Sequence, residues 1–152
     1  MKKTILFVGL LFLLISCGTD AYYDKSFTFA GHKWEQKVKP TFTVTFNDTS
    51  KMYDFILTLR TTEDYKYSNI WIFLNSKPPV GESVREPYEI KTTYPDGNWI
   101  GKKTGSIVEH QLIFKRRKLP FKGKYSFTIE QGITQKNVED ILDISFRVEE
   151  VK

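Results

Sequence analysis

The sequence predicts an all-β fold, a single-domain antiparallel β-sandwich of about eight strands. Three observations lead to this prediction. Apolar and polar residues alternate with a period of two in several runs, short turn-forming clusters separate these runs, and no long amphipathic helix pattern is present. Closely spaced short strands of this kind are typical of sandwiches and barrels. The 12 Phe, 8 Tyr and 3 Trp supply large side chains for a core.

The N-terminal segment has the pattern of an export signal. Lys2 and Lys3 precede an apolar run from Ile5 to Ile15, which is too short to span a bilayer comfortably. The run ends in Leu-Ile-Ser-Cys, which matches the bacterial lipobox, in which the Cys sulfur is thioether-linked to a diacylglycerol and becomes the mature N-terminus. We therefore predict that residues 1–16 are a lipoprotein signal peptide that is removed, and that Cys17 anchors the chain to a lipid bilayer. An ordinary signal peptide with an incidental Cys is the alternative.

The mature chain is predicted to have two parts. Residues 17–25 form a short lipidated tether, and residues 26–152 form the β-sandwich. Asp20 and Asp24 are separated and do not make the acidic cluster that often directs lipoproteins to the cell exterior. We expect the domain to face the periplasm from the outer membrane.

The first half of the domain predicts a hairpin and a central strand. The run Thr41–Asn47 alternates Phe and Val with Thr, and an in-phase apolar run over 52–60 follows the Asn-Asp-Thr-Ser turn, so the two runs are expected to pair with each other. The segment 67–74 is nearly all apolar, as for a central strand covered on both faces.

The second half predicts four more strands. The loop 78–87 is long enough to cross between sheets, and weaker or clearer alternation follows at 88–92, 106–114, 124–130 and 143–151. The segment 133–142 has room for one helical turn. The predicted core contains one aromatic residue from each of five strands: Phe42, Phe55, Trp71, Phe127 and Phe146.

Composition and motifs give no support for catalysis. The formal net charge of +5 is spread along the chain and does not indicate a nucleic-acid partner. His32 and His110 are far apart and lack neighbours at metal-ligand spacing. Nucleophile-elbow, phosphate-loop and dinucleotide motifs are absent, and adjacent carboxylates such as those of Glu63 and Asp64 point apart in an extended chain. We expect no enzymatic activity, no metal and no cofactor. Because the chain has one Cys, a disulfide within it is excluded.

The segment Asp96–Gly105 is the candidate contact region. It combines one large aromatic residue with glycines and lysines outside the strand pattern, which suits a partner-binding loop. Its candidate binding residues are Asn98, Trp99, Lys102 and Lys103. Trp99 either presents its ring to a sugar or a protein, or folds back over the end of the sandwich.

A second feature is the basic run Lys115–Lys118. It suits contact with anionic lipid headgroups or lipopolysaccharide. Basic clusters at strand ends also serve solubility and edge protection, and the sequence leaves both interpretations open.

Several short motifs resemble those of one lipoprotein family. They are the lipobox, Thr58-Leu59-Arg60, the segment Tyr65–Trp71, the loop Asp96–Gly101, the Pro120–Tyr125 turn, Glu130-Gln131 and the C-terminal run Leu142–Val148. In this order they resemble the gliding motility lipoprotein GldH of Bacteroidetes over nearly the whole mature chain, whereas the basic stretch 102–118 does not add to the match.

The resemblance implies a non-enzymatic role in the gliding machinery, which shares parts with the type IX secretion system. It also implies partners among the proteins of the cell envelope. The alternative function is a membrane-tethered β-sandwich that binds glycan or lipid, with Trp99 as its platform.

Overall fold

The computed structural model describes residues 21–152, which form eleven β-strands and one short 3-10 turn. The strands are β1 (Tyr23–Thr28), β2 (Lys33–Glu35), β3 (Thr41–Phe46), β4 (Met52–Thr62), β5 (Asn69–Lys77), β6 (Val84–Lys91), β7 (Lys102–Thr104), β8 (Ile107–Lys118), β9 (Gly123–Gln131), β10 (Asn137–Glu139) and β11 (Ile141–Glu150). The predicted all-β class is confirmed. The number of strands was underestimated because β2, β7 and β10 are three residues long, too short for an alternation to show.

The predicted signal peptide and Cys17 lie outside the described residues. The first strand begins at Tyr23, so three residues of the segment expected to be tether are part of a sheet.

Two antiparallel sheets face each other. The larger has the order β1-β11-β4-β8-β7, the smaller has the order β3-β9-β5-β6, and β2 pairs with β10 in a separate ribbon. Aromatic rings from both sheets meet between them. The ring of Phe127 in the smaller sheet lies 4.8 Å from that of Phe146 and 5.5 Å from that of Phe55 in the larger sheet. These contacts place Phe42, Phe55, Phe127 and Phe146 in the core as predicted.

Two predicted connections are wrong. β3 and β4 do not form a hairpin: β3 pairs with β9 in one sheet, and β4 pairs with β8 and β11 in the other. The turn Asn47–Ser50 therefore crosses between the sheets. Conversely, the loop 78–83 does not cross, because β5 and β6 are paired neighbours from Asn69↔Lys91 to Ser76↔Val84.

Trp71 is outside the core, contrary to the prediction. Strand β5 lies inside its sheet, between β6 and β9, but only one of its faces is covered. Ile70, Ile72 and Leu74 point into the sandwich, while Trp71 is on the outer face with 44% of its surface exposed. The run is apolar on both faces, so its composition alone resembles that of a doubly covered strand.

A different tryptophan fills the core. Trp34 in β2 is fully buried; its ring stacks on that of Phe29 with 4.8 Å between centroids, and its Nε1 donates to the carbonyl oxygen of Val38 at 2.9 Å. The ribbon that carries Trp34 is completed by β10, so the segment expected to hold a helical turn contributes a strand instead.

Strand β8 leaves part of its edge free. It pairs with β7 only from Ile107 to Glu109, and in the described chain no strand pairs with the outer edge of residues 110–118. A bulge interrupts the β4–β8 ladder near the end of this edge. There Arg116 has a φ of 51°, and its backbone N–H donates to Oδ1 of Asp54 at 2.6 Å.

Candidate functional site

The loop between β6 and β7 is closed by its own backbone. Thr93 and Trp99 form an antiparallel bridge, and the N–H of Tyr94 donates to the carbonyl oxygen of Asn98 at 2.8 Å. At the tip, the Asp96 carboxylate accepts bonds from the backbone N–H and the side-chain amide of Asn98, at 3.0 and 2.8 Å. These bonds lower the pKa of Asp96. The loop therefore has a defined shape.

A buried histidine fastens this loop to the larger sheet. His110 on β8 is 1% exposed, its Nδ1 lies 2.6 Å from the carbonyl oxygen of Ile100, and its Nε2 lies 3.2 Å from the hydroxyl of Thr61. Because a carbonyl oxygen only accepts, Nδ1 carries the proton and Nε2 accepts from Thr61. Burial lowers the pKa of His110, while the bond to Ile100 opposes that shift. A neutral His110 fits both contacts.

Gly101 allows the loop to lie this close to β8. Its φ is +126°, and a Cβ at this position would collide with the carbonyl oxygen of Glu109. The backbone approach thus depends on the absence of a side chain.

The four predicted binding residues occupy different surroundings. Trp99 is half-buried, packs against the core and lies 6.0 Å from the His110 ring between centroids. Asn98 is exposed at the loop tip. Lys102 and Lys103 are exposed on β7, where Lys103 forms an ion pair with Glu63. The fold brings all four to one end of the sandwich, with Trp99 partly folded back.

A cleft of about 320 Å³ lies beside this loop and was missed in the sequence. Asn69 and Lys91 face each other across β5 and β6, and the exposed Tyr94 forms part of the opposite wall. Inside the cleft, the side-chain amide of Asn69 donates to Oε1 of Glu89 at 2.6 Å.

Trp71 extends this surface along the outer face of the smaller sheet. It stands opposite Glu89 in the ladder, and its exposed ring is on the same face as Asn69. The sequence does indicate that Trp71 faces outward, because it has the same strand parity as the polar Asn69 and Asn75. Parity was outweighed by the apolar composition of the run.

A charged network borders the aromatic surface. The guanidinium of Arg85 lies 3.5 Å from the centroid of the Phe73 ring, a cation–π contact. Glu130 accepts a bond from the Asn75 amide at 2.8 Å and pairs with Lys39 and Arg85 at 3.3 and 3.4 Å. Partial burial raises the pKa of Glu130, but these cationic partners outweigh it and the net shift is downward.

Within residues 21–152, no group of three or more His, Asp or Glu side chains is placed to hold a metal ion. Over the same residues, no helix is long and apolar enough to cross a membrane.

Comparison with known proteins identifies relatives over nearly the whole chain. The chain is 29% identical to the gliding motility lipoprotein GldH homolog of Christiangramia forsetii, over 97% of this chain and 94% of that protein. It is 28% identical to the gliding motility lipoprotein GldH of Flavobacterium johnsoniae, over 91% of this chain and 90% of that one.

A solved structure of a sugar-binding protein, the EclA C-terminal domain, aligns with 91% of this chain and 84% of that chain. Its TM-score is 0.31 at 13% identity, too low to bear on fold or function. The model of the GldH lipoprotein family matches residues 21–148, which include β1 to β10 in full and β11 up to Val148. The chain belongs to the GldH lipoprotein family, and both of these relatives are named as gliding motility lipoproteins.

Proposed function

We propose that the protein is a non-enzymatic component of the gliding apparatus and its associated type IX secretion machinery. It is held on the periplasmic side of the outer membrane by an acylated Cys17 and contacts an envelope protein through the loop Asp96–Gly105. Family membership carries the proposal, and the closed, fastened geometry of the loop supports the contact. A fixed shape binds with less ordering cost than a flexible one.

The binding surface of this loop is the exposed part of four residues. The side chains of Asn98 and Lys102 are accessible, Lys103 is held towards Glu63 at 2.6 Å, and Trp99 offers one edge of a half-buried ring. Half-buried aromatic residues surrounded by polar groups are typical anchors of protein interfaces.

The test is recovery of partners from detergent-solubilised envelopes by the tagged, lipidated protein. We expect Trp99→Ala to reduce recovery at least about tenfold, since losing an anchor costs about 2 kcal/mol or more. Lys102→Ala, at the rim, should change recovery only slightly. Trp71→Ala, which removes an exposed tryptophan from β5, outside the loop, is the matched control.

Trp99 also packs on the domain, so its loss destabilises the fold to some extent. Recovery is therefore measured well below the melting temperature of each variant, and Asn98→Arg adds bulk at the exposed tip without removing packing. If both Trp99→Ala and Asn98→Arg recover partners as the parent does, the loop is not the contact surface.

Lipidation is tested separately. Cys17→Ala should abolish acyl labelling and partitioning into the detergent phase, and fractionation with protease protection should place the parent inside the outer membrane. Retention of the Cys17→Ala protein in the detergent phase would show that the anchor lies elsewhere.

Glycan binding is a second candidate function, favoured by the cleft beside the loop. Exposed Tyr94 lines it together with Asn69 and Glu89, whose amide and carboxylate are hydrogen-bonded to each other, and exposed Trp71 stands opposite Glu89 in the ladder. Aromatic rings beside paired hydrogen-bonding groups suit a sugar ring. Calorimetric titration with soluble peptidoglycan fragments should show binding that Trp71→Ala removes and Trp99→Ala retains; heat changes equal to dilution would exclude this ligand.

A further inference from the structure

The chain enters the domain at the end of the sandwich opposite the β6–β7 loop. Tyr22 stacks on Phe46 with 5.4 Å between ring centroids, contacts Tyr53 at 5.2 Å, and donates its hydroxyl to the carbonyl oxygen of Thr45 at 2.7 Å. Cys17 is five residues earlier, and an extended chain advances at most about 3.6 Å per residue. A lipid on Cys17 must therefore lie within roughly 18 Å of Tyr22.

Three connections meet at this end, which we call the entry end. They are the crossover 47–51, the β5–β6 loop 78–83 and the β8–β9 loop 119–122. The strand residues that flank these connections pair with each other: Met52 lies opposite Lys118, and Phe46 lies opposite Gly123. Gly123 lies directly against Pro79, which brings the second and third loops together.

Several basic side chains lie at the entry end. Lys118 lines a shallow hollow with Thr49 and Ser50 of the crossover. The pKa of Asp48 is lowered, first by hydrogen bonds from Ser50 and further by the positive charges of Lys51 and Lys122.

Two of these lysines are not neutralised. Lys51 is paired with Glu150 at 2.7 Å. In the described part of the chain, no carboxylate forms an ion pair with Lys118 or Lys122. Exposed acidic residues nearby are Glu82 in the β5–β6 loop and Glu86 on β6, which lines a cleft together with Lys118.

Exposed apolar side chains accompany the lysines. Met52 at the start of β4, Val80 in the β5–β6 loop and Phe121 in the β8–β9 loop all lie at the entry end, and each is more than a third exposed. Phe121 has an ordered backbone, because the Tyr125 hydroxyl donates to its carbonyl oxygen at 3.0 Å and accepts from its N–H at 3.3 Å. Lysines interspersed with apolar tips match the headgroup region of a bilayer, where cations meet phosphates and short apolar groups insert at the acyl boundary.

We propose that the entry end is a membrane-contacting surface that docks on anionic phospholipid headgroups. Lys118 and Lys122 contact the phosphates, and Met52, Val80 and Phe121 enter the interfacial layer. The inference rests on the proposed lipidation of Cys17 and adds the orientation of the domain: the β6–β7 loop points away from the bilayer. Charge complementarity and the short distance to the anchor both select this end.

The test uses the full-length lipidated protein in vesicles of phosphatidylcholine, with and without phosphatidylglycerol. The sequence has one Cys, and its acylation leaves no thiol, so a single introduced Cys takes a fluorescent label. Thr49→Cys reports on the entry end, and Ser106→Cys, beyond β7, reports on the opposite end. A lipid with a quencher on its headgroup measures how close each label lies to the membrane.

We expect the Thr49→Cys label to be quenched at least about twofold more than the Ser106→Cys label in vesicles that contain phosphatidylglycerol. The difference should shrink in neutral vesicles and in high salt, which screens exposed charges. Lys118→Glu together with Lys122→Glu should reduce quenching of the Thr49→Cys label. The matched control, Lys102→Glu with Lys103→Glu, should leave it unchanged.

Equal quenching of both labels would overturn the docking surface while leaving the anchor intact. The same conclusion would follow if quenching did not depend on anionic lipid or on the combined Lys118→Glu and Lys122→Glu change. Self-quenching of the Thr49→Cys label that rises with protein density, in vesicles without the quencher lipid, would show that copies of the protein pair through this end. That result would also overturn the docking surface. Failure of the protein to float with the vesicles, with Cys17 open to the label, would refute the anchor itself.

Discussion

The two ends of the sandwich carry loops that connect strands of the same two sheets, yet they are built differently. At the β6–β7 end, a buried histidine, an intraloop bridge and a close backbone approach at Gly101 hold the loop in one conformation. At the entry end, the side chains of Lys118, Lys122 and the apolar Met52, Val80 and Phe121 are exposed to solvent. A protein partner requires a defined shape, whereas a bilayer adapts to the surface it meets. Mutations should therefore cost stability at the first end and membrane contact at the second.

The largest loss of stability is expected from Gly101→Ala. The new Cβ would collide with the carbonyl oxygen of Glu109, which belongs to the sheet and cannot move away cheaply. We expect a loss of roughly 3 kcal/mol or more, measured by urea denaturation.

The matched control for this change is Gly97→Ala. Gly97 also has a positive φ, +86°, but a Cβ there meets nothing within 4 Å, so the cost should be about 1 kcal/mol from backbone strain alone. Similar losses for the two variants would show that the loop is not held against β8 in solution.

A smaller effect is expected from His110→Gln. The glutamine side chain does not place two polar atoms where the ring nitrogens contact Ile100 and Thr61. The free energy of unfolding should therefore fall by about 1–3 kcal/mol, the usual cost of a buried polar group left unsatisfied. The same variant should change the pH dependence of stability.

The sign follows from the lowered pKa of His110. The unfolded chain binds a proton near pH 6.5 more readily than the folded chain does, so the contribution of His110 is present above that pH and is lost as pH falls through the folded pKa. We expect the free energy of unfolding to decrease as pH falls below about 6.5 in the parent and to be flatter in His110→Gln. His32→Gln, at an exposed site, should keep the parent profile. Asp48 and Asp96 do not interfere, because their pKa values are lowered from 3.8.

The smallest effect on stability is expected at the entry end. Lys118→Glu and Lys122→Glu should each change the free energy of unfolding by less than about 0.5 kcal/mol, since both side chains are exposed and unpaired in the described chain. Thermal denaturation checks this. A loss above 1 kcal/mol would mean that these lysines support the fold, and would weaken their assignment to the membrane.

Local patterns in the sequence predicted the strands better than their pairing. Alternation at 41–47 and 124–130 correctly identified which side chains face inward, because period two is a property of each strand alone. The turn Asn47–Ser50 has residues that reverse the chain, but these do not specify whether the next strand joins the same sheet or the facing one. That choice depends on β9 pairing with β3, more than seventy residues later in the chain.

The candidate site was only partly predictable for a similar reason. The segment 96–101 was recognisable from its Asp-Gly and Trp residues, whereas the contacts that fix it come from His110 and Thr61 on distant strands. The cleft walls were hidden in the same way, since Asn69 and Tyr94 meet only when β5 and β6 pair. Such contacts are set by long-range topology.

The free edge of β8 affects how copies of the protein can pack side by side on a membrane. A lipid-anchored protein is confined to two dimensions, so neighbouring copies meet side by side far more often than they would in solution. An unpaired strand edge is a template for continuing the sheet into the next copy. In this chain the edge ends in four consecutive cations, and Arg116 twists out of the ladder at the bulge. Like charges and a bent edge oppose such lateral polymerisation, so the molecules can be dense on the membrane and remain separate.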